Sequence, residues 1–365
     1  MYRPQLDGLR ALAVAAVAWS HWERAYQFGI PFGAGVHLFY VLSGFLITGI
    51  LLEVREQPNR PAALGTFYAR RFLRIFPAFY LTLLLAWWAD VPPLRETLFW
   101  HAAYLSNVQI VLTESWPGAI SHFWSLAVEE QFYLLWPWLI VFVPRRSLLS
   151  AVVASVLAAP LFRWWLAMLG YRENLLGVLT PGSMDSLGMG ALLAVMMARR
   201  SPESIAAGVT RLWTKLMLMS LAALIALVVG ERSGPLPLPA MALKQTLQAI
   251  VFAWLVFRAA EGFGGALGRL LSAAPVVYLG RISYGTYLAH GFAGVMLALV
   301  GVNSRELAEP WRFLALTGVT LGVAMLSWHL MEAPINALKT RFPYARPSAA
   351  ARDGLRRPSL ADTAP

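Results

Sequence analysis

Cysteine is absent from the 365-residue sequence, and charged residues are scarce. The absence of cysteine excludes disulfides, zinc–thiolate sites and a cysteine nucleophile. Charged residues make up 13% of the chain and hydrophobic residues 58%, against about 25% and about 45–50% in soluble proteins. So few charges cannot cover the surface of a soluble protein of this length. The composition therefore predicts a polytopic membrane protein.

A cleavable signal peptide is also lacking, because the first apolar run carries Asp7 and Arg10 and no clear cleavage site. We expect this run to persist as the first membrane helix. No internal repeat is apparent in the sequence. Repeats are common in transporters, so their lack weighs against transport.

Ten apolar runs approach the length needed to cross a bilayer, which is about 20 residues. They lie at 8–26, 36–53, 75–91, 123–143, 148–169, 184–198, 212–230, 240–257, 282–300 and 311–331. A further run at 97–113 is shorter and contains several polar residues. The sequence thus predicts an all-α polytopic membrane protein with about ten transmembrane helices plus a short re-entrant or interfacial segment. We assign residues 1–342 to an integral-membrane domain and residues 343–365 to a disordered cytoplasmic tail.

The formal net charge of +11 comes from basic residues that lie mostly between the apolar runs. With ten spans and a cytoplasmic N-terminus, 21 of the 30 basic residues fall on the cytoplasmic side and six on the outer side. The positive-inside rule therefore explains the charge and places both termini in the cytoplasm. If 97–113 were a full span, Arg145 and Arg146 would lie outside. We predict no nucleic-acid partner.

Ionisable residues inside membrane helices cost roughly 2.5–3.5 kcal/mol each and are therefore candidates for function. In the first helix, Arg10 and His21 are eleven residues apart, which places them on one face about 16 Å from each other. Asp7 lies one turn from Arg10 and can pair with it. The alternatives are a snorkelling arginine and an interfacial histidine.

Two further pairs of charged residues flank or interrupt apolar runs. Arg71 and Arg74 are one helical turn apart, so their guanidinium groups can clamp a phosphate, although membrane anchoring explains them equally well. Glu129 and Glu130 are adjacent within a span. A buried carboxyl that pairs or gains a proton suits acid–base chemistry near a histidine.

The second helix contains Gly35, His37 and the Ser43–Gly44 pair. The glycines permit close approach of a ligand, and helix packing is the equally weighted alternative. A polar stripe on a later helix supports either helix–helix hydrogen bonds or a site, and consists of Ser283, Tyr287 and His290.

Four segments resemble the integral-membrane acyltransferase-3 family, which includes bacterial O-acetyltransferases of surface polysaccharides. They are LDGLRALAV at 6–14 with the Arg10-x10-His21 spacing, GVHLFYVLSGFLI at 35–47, RRFLRIFP at 70–77 and FWSLAVEEQFY at 123–133. Weaker similarity occurs at 184–191, 283–290 and 332–334. Together the segments run from about residue 5 to about 335. Finding all of them in order makes the resemblance specific.

The resemblance implies a ten-helix domain, an acyl-CoA donor and an O-acyl product. It also implies that His21 and Arg10 are essential and that Glu129 is the acidic residue of the family pattern. The sequence departs from the family at His37 and Tyr40, where Asp and Phe are frequent. No esterase-like domain is fused to this sequence, so we expect direct transfer to the acceptor or a separate partner.

We therefore predict an O-acyltransferase that moves an acyl group, expected to be acetyl, from acyl-CoA to a sugar or glycan hydroxyl. The predicted catalytic residues are His21, Glu129 and Arg10. The predicted donor-binding residues are Arg71, Arg74 and Ser43. Further candidates for substrate binding are Asp7, His37, Glu130, Tyr133, Tyr287 and His290. In this mechanism His21 is the general base or a transient acyl carrier, and Glu129 orients or charges it.

Acyl-CoA is expected as a co-substrate, with no bound cofactor or metal. The acceptor is expected to be a carbohydrate or glycolipid, and the location the bacterial cytoplasmic (inner) membrane. Homo-oligomer formation is left open. The alternatives are a glycan or lipid-linked sugar transporter or flippase, acylation of a small natural product, and a purely structural membrane scaffold.

Overall fold

The computed structural model describes residues 2–22, 32–198 and 206–344, and these residues form helices and no β-strand. The α-helices are α1 (Pro4–Trp22), α2 (Gly35–Arg55), α3 (Arg60–Trp88), α4 (Leu94–Ala102), α5 (Ser106–Thr113), α6 (Phe123–Phe142), α7 (Arg145–Met168), α8 (Met184–Ala198), α9 (Ala206–Glu231), α10 (Leu238–Glu261), α11 (Gly265–Leu271), α12 (Ala274–Arg281), α13 (Ser283–His290), α14 (Ala293–Leu299), α15 (Trp311–Ser327) and α16 (Ala333–Ala337). Short 3₁₀ turns occur at Phe32–Ala34, Gly118–Ile120, Glu173–Leu175, Thr180–Ser183 and Leu338–Arg341, and a π-helical turn at Trp328–Glu332. The predicted tail from 345 onward lies outside the described residues.

Five segments of the described chain are long and apolar enough to cross a membrane. They are Phe32–Arg55, Arg145–Met168, Thr210–Glu231, Leu238–Glu261 and Trp311–Arg341. These correspond to five of the ten predicted spans. Helices α1, α3 and α6 are long but carry charged residues, and α8 has only 15 residues. The all-helical membrane architecture is confirmed, whereas the count of about ten spans is not.

Two predicted segments are divided in the structure. The run at 97–113 is covered by α4 and α5, which meet near Tyr104, a residue with a positive φ of 53°. The run predicted as one helix over 282–300 consists of α13 and α14, separated near Gly291. Each of these helices is far shorter than a span, because a helix advances about 1.5 Å per residue.

Helix α2 lies at the centre of the fold and packs against α1, α6, α8 and α10. Its crossing with α8 depends on two glycines: Gly44 faces the backbone of Leu187, and Gly190 faces the backbone of Val41. A methyl group at either position would collide with backbone, so the two helices could not approach this closely. For Gly44, the structure therefore supports the packing interpretation.

Candidate active site

A cavity with about 790 Å³ of unfilled space, counting its open mouth, lies between α1, α2, α3, α6 and α13. We call it the chamber. Its polar lining residues are Arg10, Tyr40, Ser43, Arg71, Arg74, Ser125, Glu129, Glu130, Tyr133, Ser283, Tyr284 and Tyr287. Eight of the twelve predicted site residues thus line one cavity.

The carboxylate side of the chamber is organised by Ser43. Its hydroxyl donates a 2.6 Å hydrogen bond to Glu129, and the Tyr133 hydroxyl donates a 3.0 Å bond to the Ser43 oxygen. Glu130 lines the same chamber. Both glutamates are half-buried. Ser43, predicted to bind the donor, therefore contacts the predicted acidic residue directly.

The basic side of the chamber is formed by three arginines. Arg10 forms the predicted ion pair with Asp7, at 2.7 Å between side chains that are 15% and 3% exposed. The Arg71 guanidinium lies over the Tyr133 ring, 5.2 Å from its centroid. The Nη1 atom of Arg74 is buried and has no hydrogen-bond partner among the described residues. An unsatisfied buried guanidinium nitrogen is costly unless a ligand supplies an acceptor.

A second, smaller cavity with about 350 Å³ of unfilled space continues from these arginines. We call it the basic vestibule. It shares Arg71 and Arg74 with the chamber and adds Arg70, Lys339 and Tyr344. The Arg70 guanidinium lies 5.0 Å from the centroid of the Tyr344 ring, and burial raises the pKa of that phenol. The described lining holds four basic residues and no acidic one.

Sequence reasoning missed Arg70 and Lys339 as site residues. Arg70 is adjacent to Arg71, so the run of arginines was a usable signal. Lys339 lies about 265 residues further along the chain, on the turn Leu338–Arg341. No local pattern relates it to α3.

His21 does not line the chamber but forms a pair with His290. The His21 Nδ1 and His290 Nε2 atoms are 2.7 Å apart, and the two ring planes are nearly parallel, at 9°, with 4.8 Å between centroids. His21 is exposed, whereas His290 is buried. The polar stripe on α13 thus contributes a partner for the predicted general base.

Several polar groups lie between the His21–His290 pair and the chamber. Tyr287, one turn before His290, lines the chamber, and its hydroxyl is 2.5 Å from the Ser125 hydroxyl. The Tyr40 hydroxyl donates to the Ser125 carbonyl at 3.3 Å. His122, which sequence reasoning also missed as a site residue, packs against His290 with 4.7 Å between ring centroids.

The hypothesis that Glu129 orients His21 stays a prediction. Glu129 accepts from Ser43 on α2, and His21, at the end of α1, lies 2.7 Å from His290. His37 does not line the chamber, and its Nδ1 is buried without a hydrogen-bond partner in the described residues.

Across residues 2–22, 32–198 and 206–344, no group of three His, Asp or Glu residues could hold a metal ion.

The sequence model of one family, described as an acyltransferase domain, matches residues 3–329. The peptidoglycan O-acetyltransferase OatA of Listeria monocytogenes is 28% identical over 367 residues, covering 92% of this chain and 56% of that protein. The O-acetyltransferase OatA of Staphylococcus aureus is 30% identical over 175 residues, covering 43% of this chain and 28% of that protein. Nodulation protein 10 of Rhizobium leguminosarum is 26% identical over 387 residues, covering 96% of this chain and 97% of that protein.

This chain thus spans about half the length of the Listeria protein and nearly all of the Rhizobium protein. No solved structure matches it.

Proposed function

The chain belongs to the family of acyltransferase domains, and on this premise we propose that it transfers an acyl group, acetyl by preference, from acyl-CoA to a hydroxyl group of a glycan. The observation that carries the proposal is the basic vestibule that opens into a carboxylate-lined chamber. This arrangement suits a substrate with a polyanionic end and a long neutral arm. Acyl-CoA has that form.

The donor's phosphate groups would bind in the basic vestibule. Arg70, Arg71 and Arg74 line it together with Lys339, and Arg71 and Arg74 also line the chamber, which holds two glutamates. Guanidinium groups that line one cavity repel each other, and a bound anion would relieve that repulsion. Guanidinium groups bind phosphate oxygens in pairs, and the unpartnered Nη1 of Arg74 supplies a donor for that purpose.

The acyl arm would extend through the chamber from Arg74 toward Tyr287. Near that end the chamber wall carries the hydroxyls of Ser125 and Tyr287. Both hydroxyls donate to the His122 carbonyl, so either one would turn its proton to the thioester oxygen to stabilise the negative charge that develops there. Glu129 would act through the hydroxyl of Ser43, to which it is bonded.

His21 is proposed as the general base that removes the proton from the acceptor hydroxyl, or as the transient acyl carrier. Its exposed ring lies near the end of α1, where an acceptor can approach. The acceptor is proposed to be a carbohydrate or glycolipid, because two of the relatives are named for O-acetyl transfer and one of these for peptidoglycan.

The test is transfer of labelled acetyl from acetyl-CoA in membranes that contain the protein. His21→Ala should reduce transfer by about 10²–10⁴-fold, the usual contribution of a general base, while yield in the membrane stays unchanged. Turnover at the wild-type rate in this variant would refute the role of His21. The absence of labelled product when acetyl-CoA is the donor, in membranes where the protein is present, would refute the donor.

We also propose about ten crossings of the bacterial cytoplasmic membrane, with a membrane domain over 1–342 and both termini in the cytoplasm. The charge bias between loops supports this topology. A reporter fused after Arg146 should be cytoplasmic, and one in the loop 231–239 should be outside. The opposite result after Arg146 would mean that 97–113 crosses the membrane.

A further inference from the structure

The ring of His290 is fixed by a backbone carbonyl. Its Nδ1 lies 2.5 Å from the carbonyl oxygen of Tyr287. A carbonyl oxygen only accepts hydrogen bonds, so Nδ1 of His290 must carry the proton. The indole Nε1 of Trp22 donates to the backbone carbonyl of His290 at 3.2 Å, which holds this turn of α13 against α1.

His290 is also placed where a charged ring would be costly. It is 1% exposed, and no described carboxylate forms an ion pair with it. Burial of an unpaired charge is strongly unfavourable, so the neutral ring is favoured. A neutral imidazole protonated on Nδ1 has its lone pair on Nε2, and that atom can only accept.

The accepting Nε2 of His290 is the atom that faces His21. It lies 2.7 Å from Nδ1 of His21, so the bond requires a proton on that Nδ1. We infer that His290 is a positioning residue that holds His21 as the Nδ1–H tautomer, leaving Nε2 of His21 to take the proton of the acceptor hydroxyl. This inference rests on the proposed role of His21. It assigns that residue a partner from α13.

The third histidine of the cluster does not compete for this bond. The two ring nitrogens of His122 lie 3.0 Å and 3.2 Å from the carbonyl oxygens of Ala119 and Leu288. His122 therefore packs against the side of the His290 ring without contacting its Nε2. The hydrogen bond from His290 Nδ1 to the Tyr287 carbonyl therefore decides which ring nitrogens of the histidine pair carry protons.

The tautomer can be measured without any assay of activity. We would label the full-length protein with ¹⁵N-histidine, reconstitute it in lipid bilayers and record solid-state NMR spectra, with His21→Asn to assign the signals. The wild type should show a protonated Nδ1 and an unprotonated Nε2 for His21. A His21 signal protonated on Nε2 alone would overturn the inference even if acyl transfer is confirmed.

Three variants of residue 290 separate positioning from packing. His290→Gln can still present an acceptor to His21, His290→Asn keeps a donor for the Tyr287 carbonyl but is too short, and His290→Leu keeps neither. We expect kcat to fall about tenfold or more in the Asn and Leu variants, as for other residues that orient a functional imidazole. The KM for acetyl-CoA should stay constant, and the Gln variant should recover most of kcat.

Trp254→Phe is the matched control, because it removes an indole hydrogen bond, to Thr214, between α10 and α9, which contribute no residue to the histidine cluster or the chamber. It should retain wild-type kcat. Equal losses in the Gln and Leu variants, or a loss confined to KM, would overturn the positioning role. If a variant fails to fold, the wild-type tautomer spectrum still decides the question.

Discussion

Two clusters of charged residues lie among the helices, and they differ in how many of their polar atoms have protein partners. In the first, Arg163 and Asp185 form a 2.7 Å ion pair with side chains that are 1% and 0% exposed. Arg163 also donates to the carbonyls of Gly182 and Ala242 and to the hydroxyl of Thr246. The cluster links α7, α8 and α10, and its charges are well satisfied by the protein.

The second cluster, in the chamber and basic vestibule, leaves one buried guanidinium nitrogen without a partner. Nη1 of Arg74 has no hydrogen-bond partner among the described residues, and Arg70 and Arg71 line the same vestibule. A satisfied buried network stabilises a fold, whereas an unsatisfied one leaves donors for a ligand. The comparison therefore separates structural charges from those proposed to bind substrate.

Arg163→Leu should have the largest effect on stability. It leaves Asp185 buried without its cation, which typically costs about 3–5 kcal/mol. Thermal unfolding in detergent and yield in the membrane would measure the loss. The control is Arg74→Leu, which removes a guanidinium that already lacks one partner and should unfold near the wild-type temperature. Equal unfolding temperatures for the two variants would contradict the comparison.

Arg163→Leu with Asp185→Leu sharpens the same test. Replacing a whole buried ion pair by apolar residues is often close to neutral. The double variant should therefore recover much of the stability lost in the single variant. A double variant as unstable as Arg163→Leu would mean that the remaining hydrogen bonds, rather than the uncompensated charge, dominate.

Arg71→Lys with Arg74→Lys should have an intermediate effect that appears in donor use. Both charges are kept, but the planar guanidinium fork is lost. Loss of one or two charge-assisted bonds at roughly 1.5–3 kcal/mol each should raise the KM for acetyl-CoA about tenfold or more.

Arg145→Lys with Arg146→Lys is the matched control for the arginine pair, since these residues begin α7 and do not line either cavity. It should leave KM unchanged. An unchanged KM for acetyl-CoA in the Arg71/Arg74 variant would mean that this pair only anchors the protein in the membrane.

Salt should have the smallest effect. Raising ionic strength shortens the Debye length from about 10 Å at 0.1 M to about 3 Å at 1 M. Contacts of phosphates in the open vestibule should weaken, so the KM for acetyl-CoA should rise modestly. The Arg163–Asp185 pair is buried and should be little affected. If added salt lowered the unfolding temperature but left the KM for acetyl-CoA unchanged, the Arg163–Asp185 pair would be the salt-sensitive cluster. The assignment of the two clusters would then be reversed.

Sequence reasoning succeeded where the relevant residues share one helix. Asp7 and Arg10 pair as their spacing predicts, and Arg71 and Arg74 line one cavity from one face of α3. Glu129 and the adjacent Glu130 likewise line the chamber. Within a helix, the rise and rotation per residue fix which side chains are neighbours.

Sequence reasoning did not find the contacts between residues of different helices. His290 of α13 contacts His21 of α1, and Lys339 joins the arginines from the far end of the chain. The count of about ten spans stays a proposal, because a run of apolar residues does not show whether its helix is continuous. The run at 282–300 looks continuous in sequence and is divided near Gly291.

The sequence by itself determined that this chain is a helical membrane protein with charged residues on defined helix faces. Composition and the period of the α-helix are local properties, and they need no knowledge of packing. Only the tertiary structure decided which faces meet, which charges are satisfied and which histidine faces His21. Those outcomes depend on helix crossings such as that at Gly44 and Gly190, where many weak contacts between distant segments are summed.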